Sequence, residues 1–213
     1  MRGDAADPAG SVAGVVLAAG SSTRLGRNKL LLPLGGESLV RRAAKTALEA
    51  GLEPVVVVLG HEAHRVKGEL SGLPVRTVVN PDHARGVNTS LRAGVAALPE
   101  GASAVVVLLA DMPLVTGAMV ARLVDEHRRT GAPLVASDYE GVHAPPTLYA
   151  RRLFPELGGS EGDGCGKRVV RHHADEAVRV RWPSDRLADV DREEDWERMT
   201  RTETTEKKCA ATS

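Results

Sequence analysis

Six short runs rich in Val, Leu and Ala recur along the chain, with helix-periodic stretches between them. The runs are Gly14–Leu17, Pro54–Leu59, Val75–Val79, Ala104–Leu109, Leu134–Ser137 and Ala177–Arg181. Runs that are apolar throughout, without polar alternation, make strands buried on both faces, the condition of a parallel sheet covered by helices. Helical spacing is read over Ser38–Ala50, Ala63–Glu69, Asn88–Leu98, Thr116–Thr130 and Gly166–His173. Gly51 reads as a helix C-cap, Glu53-Pro54 starts the next strand, Pro99-Glu100-Gly101 closes the third helix and Thr116 caps the fourth. Strand and helix in alternation force right-handed crossovers. The predicted fold is therefore α/β, a three-layer sandwich around a mostly parallel, Rossmann-like central sheet. Such sheets bind ligands at the carboxyl ends of their strands, so the loops after Leu17, Val79 and Leu109 should share one crevice. The stretch Tyr139–Asp163, richer in Gly and Pro, reads as a strand plus a lid-like excursion over that crevice. Residues 1–11 read as a flexible N-terminus, 12–199 as a single domain and 200–213 as a disordered tail.

Composition narrows the function classes. Lys plus Arg and Asp plus Glu balance at 28 each, with an isoelectric point near 7.1, which gives no footprint for nucleic acid or an anionic membrane. Aromatic residues make up only 2 % of the chain, so the core must be built of Val, Leu and Ala, and base-stacking platforms are not expected. Cys165 and Cys209 form no C-x-x-C pair, which argues against a disulfide scaffold or a zinc knuckle. No run reaches membrane-spanning length and the first ten residues lack the apolar core of a signal peptide. The chain reads as soluble and cytoplasmic.

The first run opens into Ala18-Ala19-Gly20-Ser21-Ser22-Thr23-Arg24-Leu25-Gly26-Arg27-Asn28-Lys29. A buried strand that ends in small residues and a glycine, then a polar loop with fixed cations, is built to hold phosphate. Glycines bring backbone N–H groups close to oxygen, and cations neutralise charge. The loop is neither a P-loop nor a dinucleotide fingerprint, because Gly26 is followed by Arg27-Asn28 and Gly20-Ser21-Ser22 breaks G-x-G. It resembles the signature L-A-A-G-x-S-x-R-x-G-x-x-K of nucleotidyltransferases related to molybdenum cofactor cytidylyltransferase, the MobA-like NTP transferases, with every fixed position matched from Leu17 to Lys29. The resemblance implies the fold of nucleotide-diphospho-sugar transferases. It assigns nucleotide binding to Leu17, Ala18, Ala19, Gly20, Ser21, Arg24 and Lys29, with Arg24 and Lys29 acting on the triphosphate.

Four further elements extend it over roughly Ala13 to Met199. Asp111, in Leu109-Ala110-Asp111-Met112-Pro113, follows a buried strand. A carboxylate there either holds a divalent cation or is satisfied by the turn's own N–H groups. The resembling family has G-D-x-P or A-D-x-P at this point, which implies a catalytic, metal-binding Asp111. Asp189-Val190-Asp191 resembles the family's closing D-x-D element, with Arg192-Glu193 where Thr-Pro is usual, and implies Asp191 as second metal ligand, ahead of Asp189. By themselves, both aspartates could equally favour the dipole of the last helix. The stretch Asn80–Arg92 resembles G-[MQ]-x-x-S-L-x-x-G through Gly86, Ser90, Leu91 and Gly94, and implies nucleotide contacts from Asn88 and Ser90, although Asn88 or Thr89 could also merely cap a helix. Gly141–Tyr149 and Gly162-Asp163-Gly164-Cys165-Gly166-Lys167-Arg168 resemble the acceptor side, implying Pro146, Gly164 and Lys167 as acceptor contacts. His143 and Cys165 are expected to be a hydrogen-bonded histidine and a buried thiol. His61 and His64 are read as solvated, and His172-His173 as lying at a helix C-terminus, where charged His is favourable.

The implied reaction is Mg²⁺-dependent transfer of a nucleotidyl group from a nucleoside triphosphate to a phosphorylated small molecule, releasing pyrophosphate. Leu17-Ala18-Ala19-Gly20 resembles the cytidylyl branch, so CTP and molybdopterin are the expected pair, with room for a molybdoenzyme as protein partner. Two alternatives stand beside it. One is a sister enzyme acting on a sugar, polyol or cofactor-precursor phosphate. The other is a non-catalytic nucleotide or cofactor carrier in molybdoenzyme maturation.

Overall fold

The computed structural model describes residues 10–20, 26–159, 164–190 and 194–200. Ser21, Arg24, Gly162, Asp163 and Asp191 lie outside the described residues, as do most of the expected flexible N-terminus and the tail beyond Thr200.

Seven strands form the central sheet: β1 (Ser11–Ala18), β4 (Val55–Leu59), β5 (Arg76–Val79), β6 (Ala102–Leu109), β7 (Leu134–Tyr139), β8 (Val142–Ala150) and β9 (Ala177–Trp182). Their order is β5-β4-β1-β6-β8-β7-β9. A two-stranded ribbon of β2 (Pro33–Leu34) and β3 (Glu37–Ser38) stands apart. The helices are α1 (Leu39–Glu49), α2 (Ala63–Glu69), α3 (Val87–Ala96), α4 (Gly117–Thr130), α5 (Phe154–Gly158) and α6 (Lys167–His172), and residues 194–200 are helical. The expected mostly parallel α/β sandwich is the observed one.

Alternation along the strands divides the core into two layers. Val16, Val57 and Leu108 face α1, α2 and α4, where they meet Val40, Ala44, Val66, Val120 and Leu123. Val15, Leu17, Val58 and Val107 face α3, α5 and α6, where they meet Leu91, Val95, Leu157 and Val169. On this second side α3 lies very close to the sheet. A Cβ on Gly94 would stand 2.5 Å from Val15 Cγ1 and 3.0 Å from Val58 Cγ2. Thr116 caps α4 as expected, its Oγ1 accepting from Met119 N at 3.3 Å. Gly51 adopts φ 74° after α1, the left-handed conformation a C-cap glycine supplies.

The stretch Tyr139–Asp163 contains the expected strand: Glu140 (φ 54°) and Gly141 (φ 96°) make a two-residue turn, and β8 returns between β6 and β7, antiparallel to both, while residues 160–163 of the expected excursion lie outside the described residues. Positive φ at both central positions is what a tight hairpin needs. Pro145 and Pro146 interrupt its ladder, since neither can donate to it. The pairing of β7 with β8 is broken between Ala136 and Asp138 to accommodate them. Side chains take over: Ser137 Oγ donates to Pro146 O at 2.7 Å and Tyr139 OH to Pro145 O at 3.0 Å. The short helix α5, with Pro155 at its first turn, was not anticipated.

Candidate active site

The strand register fixes where the cleft lies. Leu17 pairs with both Val58 and Leu109, so β1, β4 and β6 end at one level. Backbone bonds carry the alignment into the loops: Ala110 N donates to Leu17 O at 3.1 Å, and Asn80 N to Leu59 O at 2.8 Å. A cleft of about 420 Å³ opens there. One wall is Leu17, Ala19, Gly20 and Lys29; the floor carries Asp111 and Asp189; the far wall is Pro145, Gly164, Cys165 and Lys167. Ala18 is buried in β1 behind the loop.

Lys29 and Asp111 meet across the crevice, Nζ to Oδ2 at 2.6 Å, with the side chains only 12 % and 22 % exposed. Asn28 aims the lysine. It is buried, and its Oδ1 accepts from Leu30 N at 3.1 Å, capping the single turn Lys29–Leu31. Asp189 arrives on a segment joined to Asp111 by Val190 N donating to Asp111 O at 3.2 Å. Val190 and Met199 anchor that segment against Leu32, Leu34 and Leu39. Two carboxylates on adjoining backbones beside a fixed ammonium suit a hard divalent cation bridging to phosphate oxygens. Asp111 and Asp189 would hold it. Asp189 of the expected Asp189-Val190-Asp191 element lines the cleft, and Asp191 lies outside the described residues.

The segment after β5 is organised differently from its sequence reading. Asn80 is buried and ties its own loop, donating from Nδ2 to Thr89 Oγ1 at 2.8 Å and Ser90 Oγ at 3.0 Å, while its Oδ1 accepts from Asp82 N at 3.0 Å. Ser90 reaches the cleft. Asn88 Oδ1 accepts from Gly166 N at 3.3 Å, linking α3 to the start of α6 beside the cleft wall. Gly86, with no side-chain cap bond, stands at the N-cap of α3, so neither Asn88 nor Thr89 caps that helix.

On the acceptor side, Pro145 lines the cleft, whereas Pro146 is buried in the sheet. Gly164 and Lys167 lie on the wall as expected. Burial pushes the Cys165 thiol up to about 12, and the neighbouring Asp111 carboxylate adds to the effect, with Lys167 opposing it. A thiol so held is no nucleophile near neutrality. His143 Nδ1 is buried with no hydrogen-bond partner among the described residues, contrary to the expected bonded histidine. Sequence reasoning missed Gly60. A Cβ there would lie 2.7 Å from both Ala19 O and His83 Cβ, so only glycine lets β4 close against the phosphate loop.

A family model, the MobA-like NTP transferase domain, matches residues 14–178. The chain belongs to the MobA-like NTP transferase family. As a MobA-like NTP transferase it falls in the nucleotidyltransferase superfamily, whose members bind nucleoside triphosphates and phosphorylated substrates and typically use a divalent metal. It is similar to nicotine blue oxidoreductase of Paenarthrobacter nicotinovorans, at 36 % identity over 166 residues, 74 % of this chain and 80 % of that protein. It is also similar to the purine catabolism protein PucB of Bacillus subtilis (strain 168), at 32 % over 200 residues, 88 % of this chain and 95 % of that one. Among solved structures, Rv0371c of Mycobacterium tuberculosis H37Rv superposes with a TM-score of 0.80 at 27 % identity, covering 91 % of this chain and 99 % of that one. The same protein has been described in complex with manganese, with a TM-score of 0.74, 26 % identity and coverages of 90 % and 98 %. No helix among the described residues is long and apolar enough to cross a membrane.

Proposed function

We propose that this MobA-like NTP transferase moves CMP from CTP onto the phosphate of molybdopterin, with Mg²⁺, releasing pyrophosphate. The observation that carries the reading is the Lys29–Asp111 pair on the cleft wall at the end of the L-A-A-G loop. An acceptor phosphate oxygen attacks the α-phosphorus, a new P–O bond forms, and the bond to the β-phosphate bridging oxygen breaks. A phosphate monoester is largely dianionic near pH 7, its second pKa being about 6, so the attack needs no general base. The obstacle is repulsion between anions and charge growing on the leaving pyrophosphate. Cations held in place remove both, so alignment and electrostatics supply the catalysis. Lys29 and Arg24 would neutralise the triphosphate, Gly20 and Ser21 would offer backbone donors, and Asp111 with Asp191 or Asp189 would hold the metal. Gly164 and Lys167 receive the acceptor phosphate. The metal, when bound, supplies Lewis-acid polarisation of the phosphoryl oxygens.

A second reading follows from one observation, the 36 % identity to a protein named an oxidoreductase. In that reading the same cleft holds a dinucleotide and a reducible substrate. The broken G-x-G after Leu17 speaks for the transferase. The deciding experiment follows pyrophosphate release with Mg²⁺ and molybdopterin against CTP, GTP, ATP and UTP in parallel, with sugar and polyol phosphates as alternative acceptors. Release with CTP and molybdopterin is the expected result. Release only with another acceptor assigns a sister enzyme. Nucleotide binding without any release points to a carrier. No release, combined with substrate-dependent oxidation of NADH or NADPH at 340 nm, would overturn the transferase reading.

A further inference from the structure

Away from the cleft, the first turn of α5 and the C-terminal end of α6 bring together two imidazoles and a carboxylate. His172 ends α6 and His173 is its C-cap, where the backbone leaves the helix (φ −105°, ψ 24°) and lets consecutive rings approach to 4.8 Å between centroids. Glu156 lies opposite on α5. Its Oε2 is 3.1 Å from His172 Nδ1 and its Oε1 is 2.8 Å from His173 Nε2. One ligand atom from each of the three residues falls within 4.8 Å of the others.

We propose that Glu156, His172 and His173 form a binding site for a zinc-class transition-metal ion, separate from the nucleotide cleft. Three features carry this beyond a chance surface cluster. The first is spacing. With bonds of about 2.0–2.2 Å, tetrahedral ligands sit about 3.3–3.5 Å apart; the two glutamate–histidine separations, 3.1 and 2.8 Å, lie a little below that, and the ligand atoms of all three residues fall within 4.8 Å of one another. The second is the support behind His173. Its other nitrogen, Nδ1, faces Glu176 Oε1 at 3.0 Å, and Glu176 is itself paired with Arg152. A carboxylate on the far nitrogen fixes the ring and its tautomer and raises its basicity as a ligand. With Nδ1–H donating to Glu176, a neutral ring would aim its Nε2 lone pair at the Glu156 carboxylate, and a cation must lie between them. A proton meets that need, and a metal ion meets it with His172 as well. The third is access: His173 is 13 % exposed, Glu156 38 % and His172 72 %, so an ion can enter and a water can complete the shell.

The donor set also distinguishes this site from the cleft. Two imidazoles and one carboxylate favour Zn²⁺, Co²⁺ or Ni²⁺, whereas the oxygen-only pair Asp111 and Asp189 suits Mg²⁺ or Mn²⁺. The consequence is mechanical. α6 begins at Lys167 on the acceptor wall and α5 packs against α3, so an ion joining the two helices braces that wall.

The test titrates Zn²⁺ against a chromophoric competitor, using the full-length, untagged, metal-stripped chain with excess Mg²⁺ present. Co²⁺ absorption in the visible region reports the ligand geometry. The expected result is one Zn²⁺ per chain and a tetrahedral or five-coordinate Co²⁺ spectrum. His173→Ala and His172→Ala should each lose at least about tenfold in affinity, and Glu176→Gln about 10–100-fold. Asp111→Ala should keep the affinity. Glu156→Gln preserves the shape of the side chain and keeps one carbonyl acceptor, so loss of binding there in a chain with unchanged melting separates ligation from misfolding. Equal Zn²⁺ affinity in the wild type and both histidine variants, loss in Asp111→Ala, or no stoichiometric binding would each overturn the proposal.

Discussion

Gly94 offers a quantitative test of how the site is mounted. It sits in α3 where that helix crosses β1 and β4, and an added Cβ would come within 2.5 Å of Val15 Cγ1 and 3.0 Å of Val58 Cγ2. Carbon atoms rest about 3.5–4.0 Å apart, so Gly94→Ala overlaps its neighbour by roughly 1 Å. Val15 and Val58 are fully buried, so α3 itself must lift from the sheet. An overlap carried by backbone-attached carbon belongs at the upper end of overpacking costs, about 3 kcal/mol. Alanine's better helix propensity offsets about 1 kcal/mol of that. The net loss of about 2 kcal/mol should lower Tm by about 4–8 °C in a chain of this size. Gly68 in α2 has nothing within 4 Å of the corresponding Cβ. Gly68→Ala should therefore change sign, gaining about 0.4–1 kcal/mol and raising Tm by about 1–4 °C. Thermal unfolding followed by circular dichroism measures both. An unchanged or raised Tm in Gly94→Ala would refute the packing argument. Because α3 also carries Ser90 into the cleft, nucleotide affinity should fall together with Tm.

Other outcomes follow from the same geometry. Asp111→Ala should reduce metal-dependent turnover by about a hundredfold or more and leave the circular dichroism spectrum unchanged; full activity would remove Asp111 from the site. Asn80→Ala leaves Asp82 N, Thr89 and Ser90 without that partner and should cost about 1–3 kcal/mol, read as a lowered denaturation midpoint, with a raised KM for the nucleotide. Cys165, half-buried on the cleft wall with its thiol pushed up to about 12, should react with iodoacetamide at pH 8 far more slowly in the native protein than after denaturation, as peptide mapping would show. Rapid native labelling of Cys165 would contradict the burial that raises it.

Much of the fold was legible because its strands are unusually plain. Val15–Leu17, Val55–Leu59 and Val105–Leu109 are apolar on both faces, and only a helix-covered sheet buries both. The strand in Tyr139–Asp163 was legible but its bounds and its antiparallel place were not: the carbonyls of Pro145 and Pro146 are satisfied by hydroxyls from Tyr139 and Ser137, pairs that no local pattern announces. The cleft was legible through Lys29, which closes the polar stretch after β1, and Asp111, which follows the buried run of β6. The roles of Asn88 and Pro146 were not, because helix phase and a strand bulge decide which way each points. Asn88 is one residue into α3 and faces Gly166, while Ser90, two residues on, reaches the cleft. Gly60 carries its signal only in three dimensions, in a contact with Ala19 O across β1 and β4. Glu156, read with no role, meets His172 and His173 because α5 and α6 pack on one side of the sheet.

The measurement closest to the central claim is anomalous diffraction from crystals soaked with Mn²⁺ and CTP. The account predicts a manganese peak between the Asp111 and Asp189 carboxylates, with triphosphate density running along Gly20 to Lys29. A triphosphate bound elsewhere, or a peak confined to Glu156, His172 and His173 with no metal at Asp111, would contradict it.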